Sequence, residues 1–359
     1  MSDASSPSPL QQAITALADR RSLSERLAAE VFAVVMRGEA TPAQTAALLV
    51  GLRVKGETPE EVAGAARALR GAMVRVETDA PHLVDTCGTG GGAVTTFNIS
   101  TAAAFVAAGA GATVAKHGNR SFTSKCGSAD VIEALGIAVG LDAAAAARLL
   151  REAGVAFLFA PNFHPAMRHV GPVRRELGIT SVMNLLGPLA NPAGVQRQVV
   201  GVGDRDRGPL MAEALARLGA EHAMVVHGRV GMDEISPLGI TDVWEIRGGR
   251  TSQWELDPAA YGLAIADTGE GSGAGGGAAG LQGGDPAANA ARLERSLAGD
   301  GGDPAGRAAV VLNAGAAIYV AGLAASYKEG VRQASEAVAS GAASAALERL
   351  RRASPNTSG

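Results

Sequence analysis

The chain has 359 residues, 47% hydrophobic and 19% charged, with a net charge of −3. That length and apolar content allow two domains around a large core and exclude a disordered tail. The slight acidity argues against nucleic acid or an anionic membrane as partner, because both need clustered positive charge.

Residues 1–75 read as helices only, with apolar positions at three- and four-residue spacing. Ser22 or Ser24, Thr41-Pro42 and Thr58-Pro59 are helix starts, and Gly38 and Gly56 are stops. The pattern changes near residue 82. Short apolar runs at 82–86, 112–118, 155–160, 198–204, 222–228 and 242–248 read as strands, separated by helical stretches. Such alternation predicts a largely parallel sheet covered on both faces. Residues 268–285 are dominated by Gly, Ala and Ser and read as a flexible surface loop. Residues 304–351 read as helices, and the tail PNTSG as disordered. The weakly polar runs 101–115 and 308–324 are too short, or too poor in large apolar residues, to span a bilayer. No secretory signal is visible, and two cysteines, Cys87 and Cys126, exclude a disulfide framework. A soluble, cytoplasmic protein is expected. With 48 glycines and 3% aromatics, its helices should pack closely.

Four loops carry chemistry. In DTCGTGGGAVTTFNIST (85–101) a strand runs into a glycine cluster and then an Ala-rich helix. Glycines let a backbone approach a bulky anion, and the free N–H groups of a helix start favour phosphate. Ser100 and Thr101 are natural N-caps there. A dinucleotide fingerprint fits poorly. VTTFN separates the glycines from the helix, and 105–115 has no carboxylate. No Gly-Lys-Ser/Thr follows, so a P-loop fits less well still.

KHGNRSFTSKCGSAD (116–130) is basic and rich in hydroxyls, suited to phosphate and sugar. PNFHPAMRHVGPVRRELG (161–178) carries Arg168, Arg174 and Arg175, and spacing does not decide which of them meets a ligand. In GRVGMDEISPLG (228–239), Asp233 and Glu234 are adjacent. Adjacent carboxylates diverge on extended chain, yet they suit a hydrated Mg²⁺ whose other ligands are substrate phosphates. Each loop follows the C-terminal end of a predicted parallel strand, where open α/β sheets bind ligands. Together they describe a site for a polyphosphorylated substrate, Mg²⁺ and a second, anionic partner. Cys87 reads as a small buried apolar residue.

These pieces, with GSADVIEALG and TSVMNLLGPLANP, resemble the anthranilate phosphoribosyltransferase family in content and order over roughly residues 10–350. The resemblance implies a small helical N-terminal domain (1–78, with a returning segment near 166–192). The large α/β domain, with a central mainly parallel sheet, would span 79–165 and 193–359. It implies transfer of phosphoribose from phosphoribosyl pyrophosphate to the amine of anthranilate, in tryptophan biosynthesis, by a homodimer joined through the helical domain. The implied donor contacts are Gly88, Gly91, Gly92, Thr96, Asn98, Ile99, Ser100 and Thr101 in the first loop. In the second they are Lys116, His117, Gly118, Asn119, Arg120, Ser121, Phe122, Thr123, Ser124 and Ser128. Gly88, Asn119 and Arg174 would contact anthranilate, and Ser100, Asp233 and Glu234 would hold magnesium. No residue is assigned as acid or base; His117 either donates a hydrogen bond or shapes the pocket. The family's glycine loop commonly ends in Asp where this chain has Gly92, so an altered magnesium dependence is expected. The nearest rival, a pyrimidine nucleoside phosphorylase, resembles this family in fold, and KHGN with Arg174 favours the anthranilate reading. A nucleic-acid-binding relative would want a basic surface.

Overall fold

The computed structural model describes residues 7–121, 125–266, 278–299 and 302–355. Four helices open the chain: α1 (Pro9–Ala18), α2 (Glu25–Met36), α3 (Pro42–Lys55) and α4 (Pro59–Gly71). Each starts behind a hydroxyl cap, Ser8, Ser24, Thr41 or Thr58, that accepts a first-turn N–H. Of the two serines considered for α2, Ser24 is the cap. α3 stops at Gly56, where φ is +88°. Glu61 closes the capping box of α4 and also accepts from Leu23 N at 2.8 Å and Lys55 Nζ at 2.9 Å. A fully buried carboxylate thus ties α3 and α4 to the turn before α2. α2 and α4 approach most closely at Gly64, where a Cβ would overlap the Glu25 carbonyl oxygen.

The rest of the chain builds a seven-stranded sheet. In chain order come β1 (Leu83–Gly88), α5 (Ile99–Gly109), β2 (Thr113–Gly118), α6 (Ser128–Ala134), α7 (Ala143–Ala153) and β3 (Val155–Phe159). Next are α8 (Ala160–Phe163), α9 (Gly171–Leu177), α10 (Met183–Leu189), β4 (Arg197–Gly201), α11 (Arg207–Arg217), β5 (His222–Gly228), β6 (Thr241–Arg247) and β7 (Arg250–Leu256). The chain ends in α12 (Pro286–Leu297), α13 (Pro304–Val320), α14 (Tyr327–Ala339) and α15 (Ala342–Ala353).

The strand order is β3-β2-β1-β4-β5-β6-β7. β1 to β5 are parallel, and β6 and β7 are antiparallel. The chain leaves β1 toward β2 on one side and β4 takes the other side. The topological switch point therefore lies between β1 and β4, with Gly88 opposite Gly201 at its C-terminal end.

The sheet differs from the sequence expectation at its edge. β7 (RTSQWEL) does not read as a strand in the sequence, because most of its residues are exposed and polar. The segment 278–285 is also not a free loop. Leu281 is fully buried, and its carbonyl accepts from Phe97 N at 3.0 Å. Residues 268–277, Phe122, Thr123, Ser124 and the last four residues of PNTSG lie outside the described residues.

The weakly polar run 308–324 is largely α13, buried along almost its whole length under the sheet and against α5 and α14. No described helix is long and apolar enough to cross a membrane. A second apolar cluster joins Leu48, Leu52 and Val62 of the helical bundle to Val170, Met183 and Leu186. It continues onto Val200, Val225 and Trp244 of the sheet. The chain thus passes from bundle to sheet at 72–82, back at 164–165, and out again at 190–196. The crossings are stitched: Val74 N donates to Phe163 O at 2.8 Å, and Val76 N to Pro192 O at 3.0 Å.

Candidate active site

At the switch point three loops meet backbone to backbone. Gly90 and Gly91 have φ of +70° and +81°, which L side chains rarely adopt. They turn the chain after β1 so that Thr89 N donates to Gly201 O at 2.8 Å and Val94 N to Gly231 O at 3.1 Å. A Cβ on Gly201 would overlap the Asp233 carbonyl oxygen, and one on Gly88 would fall 2.9 Å from Asp233 Oδ2. The acidic loop is therefore pressed against the ends of β1 and β4, and only glycine fits between them.

The helix start is built differently from the expectation. α5 begins at Ile99 with Asn98 as N-cap, so Ser100 and Thr101 lie inside the first turn. Its N–H groups are engaged: Thr101 N donates to Asn98 O, and Ser100 N to Glu234 Oε1 at 3.2 Å. The fold has placed its own carboxylate where the helix end favours an anion. Beneath it, Lys116 Nζ donates to Thr86 O at 2.5 Å and to Ser100 Oγ at 3.2 Å. Burial lowers the Lys116 pKa, while Asp85, Cys87 and Glu234 oppose that shift. Burial raises both Asp233 and Glu234, and Asp233 raises Glu234 further. Two carboxylates held at a cost to their charge are a ready cation site. Among the described residues no third His, Cys, Asp or Glu joins them. With Ser100 Oγ they offer hard oxygens to one side of an ion, which fits a hydrated Mg²⁺ completed by substrate phosphates.

His117, at the end of β2, meets His164. Its Nδ1 lies 3.1 Å from Gly187 O, so this nitrogen carries the proton and donates. The bare Nε2 then faces His164 Nε2 at 3.2 Å, which donates to it. The Ala190 backbone also faces the His164 ring and partly opposes the downward shift of its pKa. Burial, with His164 beside it, pulls His117 down to about 3, and burial pulls His164 down to about 4. Both rings are neutral at neutral pH, and both nitrogens of His117 are engaged by the protein. The unfolded chain protonates these rings near the ordinary 6.5, so stability is full above that pH and is lost as pH falls toward 4. The melting temperature of wild type should drop over that window. His164→Gln should flatten the slope by about one proton; an unchanged slope would contradict the neutral pair.

Residues 80–344 match a family described as Glycosyl transferase family, a/b domain, and residues 11–73 its helical bundle domain. The anthranilate phosphoribosyltransferase of Rubrobacter xylanophilus is 51% identical over 351 residues, 98% of this chain and 99% of that one. The chain belongs to the anthranilate phosphoribosyltransferase family. A crystal structure of the Thermus thermophilus member aligns with a TM-score of 0.87 at 44% identity, covering 95% of this chain and 98% of that one. The Saccharomyces cerevisiae member in complex with PRPP and Mg aligns at 0.84 and 29% identity, covering 97% and 98%. Another structure of that yeast enzyme, in complex with 4-fluoroanthranilate, aligns at 0.82 and 28% identity, covering 96% and 97%.

The fold separates the three arginines that spacing left equal. Arg168 and Arg175 are exposed, and Arg168 Nε leans on His169. Arg174, on α9, is half-buried, its side chain makes no hydrogen bond or ion pair among the described residues, and burial lowers its pKa. Its excursion from the sheet begins at His164, which touches His117.

Other family positions serve the protein itself in this structure. Arg120 is engaged by Asp130 at 2.8 Å and Glu133 at 2.6 Å. Asn98 Nδ2 donates to Cys126 O, and Asn98 Oδ1 accepts from Asn289 at 2.9 Å. Thr96 bridges Gln282. Ser128 Oγ donates to Asn119 O at 3.3 Å, folding the loop after Gly118 onto α6. Cys87 is half-buried, not fully buried as expected, and burial raises its thiol well above the usual range.

Sequence reasoning missed the supports. Asp85 is fully buried and accepts from Asn191 Nδ2 at 2.8 Å and His117 N at 3.2 Å. An Asp inside an apolar strand was the available signal. Arg292 bonds Asp303 at 2.6 Å and Gln282 O at 3.0 Å, and lies 4.4 Å from the Phe97 ring centroid. It pins 280–282 under the first loop.

At Gly92 a Cβ would stand 2.8 Å from Gly231 O and 3.3 Å from Asp233 Oδ1. Gly92→Ala should therefore destabilise the loop without moving the magnesium concentration for half-maximal activity. Gly92→Asp adds a charge beside Asp233 and should move that concentration about threefold. Identical magnesium curves for the two variants would remove charge from the explanation.

Proposed function

We propose that this chain transfers the phosphoribosyl group of phosphoribosyl pyrophosphate to the amine of anthranilate and releases pyrophosphate. The observation that carries the reading is half-identity, over nearly the whole of both chains, to enzymes of that name. The strand-edge geometry supports it.

Nitrogen attacks C1 of the ribose, the C1–O bond to pyrophosphate breaks, and the nitrogen then loses a proton to water. The aromatic amine is neutral at neutral pH, so no strong base is needed, in keeping with a His117 whose nitrogens are both engaged. Magnesium, when bound, neutralises charge growing on the departing pyrophosphate. The residues proposed to hold it are Asp233, Glu234 and Ser100. The Gly91 and Gly92 amides, which donate to no described group, cradle the diphosphate, with Lys116 beneath them. Arg174 clamps the anthranilate carboxylate, and holding both reactants aligned supplies much of the acceleration. Arg120 acts through α6 rather than through the donor, given its carboxylate partners.

A cytoplasmic homodimer joined through the bundle completes the reading; Val54 at 67% and Ile179 at 46% exposure support that face. Anthranilate fluorescence should fall when the protein, Mg²⁺ and phosphoribosyl pyrophosphate are all present. No loss with all three present would overturn the assignment.

A further inference from the structure

A cavity of about 280 Å³ lies at the opposite edge of the sheet from the glycine loop. Val195, Gln196 and Gln198 at the start of β4 and residues 218–220 leading to β5 line it, so it is one strand length, about 16 Å, from Gly201. Two of the three chain crossings also line it, through residues 75–78 and 191–194.

Its charge is not balanced. Arg70, largely buried, lines the cavity, and among the described residues only its Nε is bonded, to Leu189 O at 2.6 Å. Burial, then Arg67 and Arg75, pull its pKa down to about 10, and no carboxylate opposes them. Arg67 is already held by Glu25 and the Arg217 carbonyl. Arg75 makes no ion pair among the described residues. Glu77 is the one carboxylate in the lining; it is exposed and bonds neither arginine. A buried cation among like charges is costly, and an anion offsets that cost. Gln196 and Thr78 add neutral polar residues to the lining.

We infer that this cavity is a second anion site, taking a small tetrahedral oxyanion such as orthophosphate between Arg70 and Arg75. Planar, forked donors suit phosphate. The bound ion ties the end of α4 to both crossings and so fixes the bundle relative to the sheet.

Crystals of the full chain soaked in selenate test the site directly. An anomalous peak should stand between Arg70 and Arg75, and Arg75→Gln, an exposed change, should lower its occupancy at least fivefold. A peak at the glycine loop should survive in both proteins. Loss of that peak alone would count against the donor site and leave this one intact. Orthophosphate in tenfold excess should displace the cavity selenate, and acetate should not. In solution, phosphate at about ten times its Kd should raise the melting temperature of wild type about 2 °C more than that of Arg75→Gln. An empty cavity, an equal peak in the variant (an adventitious ion only), displacement by acetate but not phosphate, or equal melting shifts would each overturn the inference.

Discussion

Arg174→Ala should raise the KM for anthranilate about 10- to 100-fold while changing the KM for phosphoribosyl pyrophosphate less than about threefold. A hydrogen bond to a charged group contributes about 1.5–3 kcal/mol, and a bidentate guanidinium clamp lies at the upper end. Arg174 is the one arginine of its segment that is half-buried and carries no partner among the described residues. Its loss should therefore leave the fold intact, unlike loss of an arginine engaged as Arg292 is. Arg174→Lys should recover only part of the effect, because an ammonium does not reproduce the fork. Steady-state kinetics with each substrate varied in turn decides the matter. Equal damage to both KM values would move Arg174 from the acceptor to a general scaffold.

Replacing Asp233 by Asn and Glu234 by Gln should lower turnover at limiting magnesium by about 100-fold or more, with partial recovery at high magnesium. The substitutions are close to isosteric. Gln still offers an oxygen to Ser100 N, and Asn one to Gly90 N. The Asp233 backbone that seats against Gly201 is untouched. Because burial already raises both carboxyl groups, neutralising them should not lower the melting temperature of the metal-free protein. Superimposable magnesium titrations for wild type and variant would make the pair a bystander.

Much of this site was readable because its loops end apolar strands. β2, β3 and β5 are almost continuously buried, mainly apolar runs closed by glycine or a helix start, and the chemistry follows each at once. The acidic loop was found the same way. What escaped reading was long-range. Nothing local in HPAM says that His164 meets His117, and nothing in ARLERS says that Arg292 lies against Phe97. β7 escaped because an exposed edge strand need not alternate. α5 starts two residues earlier than a Ser100 cap would place it, and Glu234, far along the chain, accepts the Ser100 N–H that the Asn98 side chain leaves unserved.

The stitched crossings bear on how the chain acquires its shape during synthesis. The first four helices leave the ribosome well before Val170, Met183 and Leu186, and before the α11 and sheet residues such as Trp244, that share their apolar cluster. At translation speeds of about 5–20 residues per second, the interval is on the order of ten seconds. Over that time the nascent bundle carries an uncovered greasy face. A ribosome stalled before α10 should hold a chaperone-bound, protease-sensitive N-terminal half, and one stalled once β6 has emerged should not.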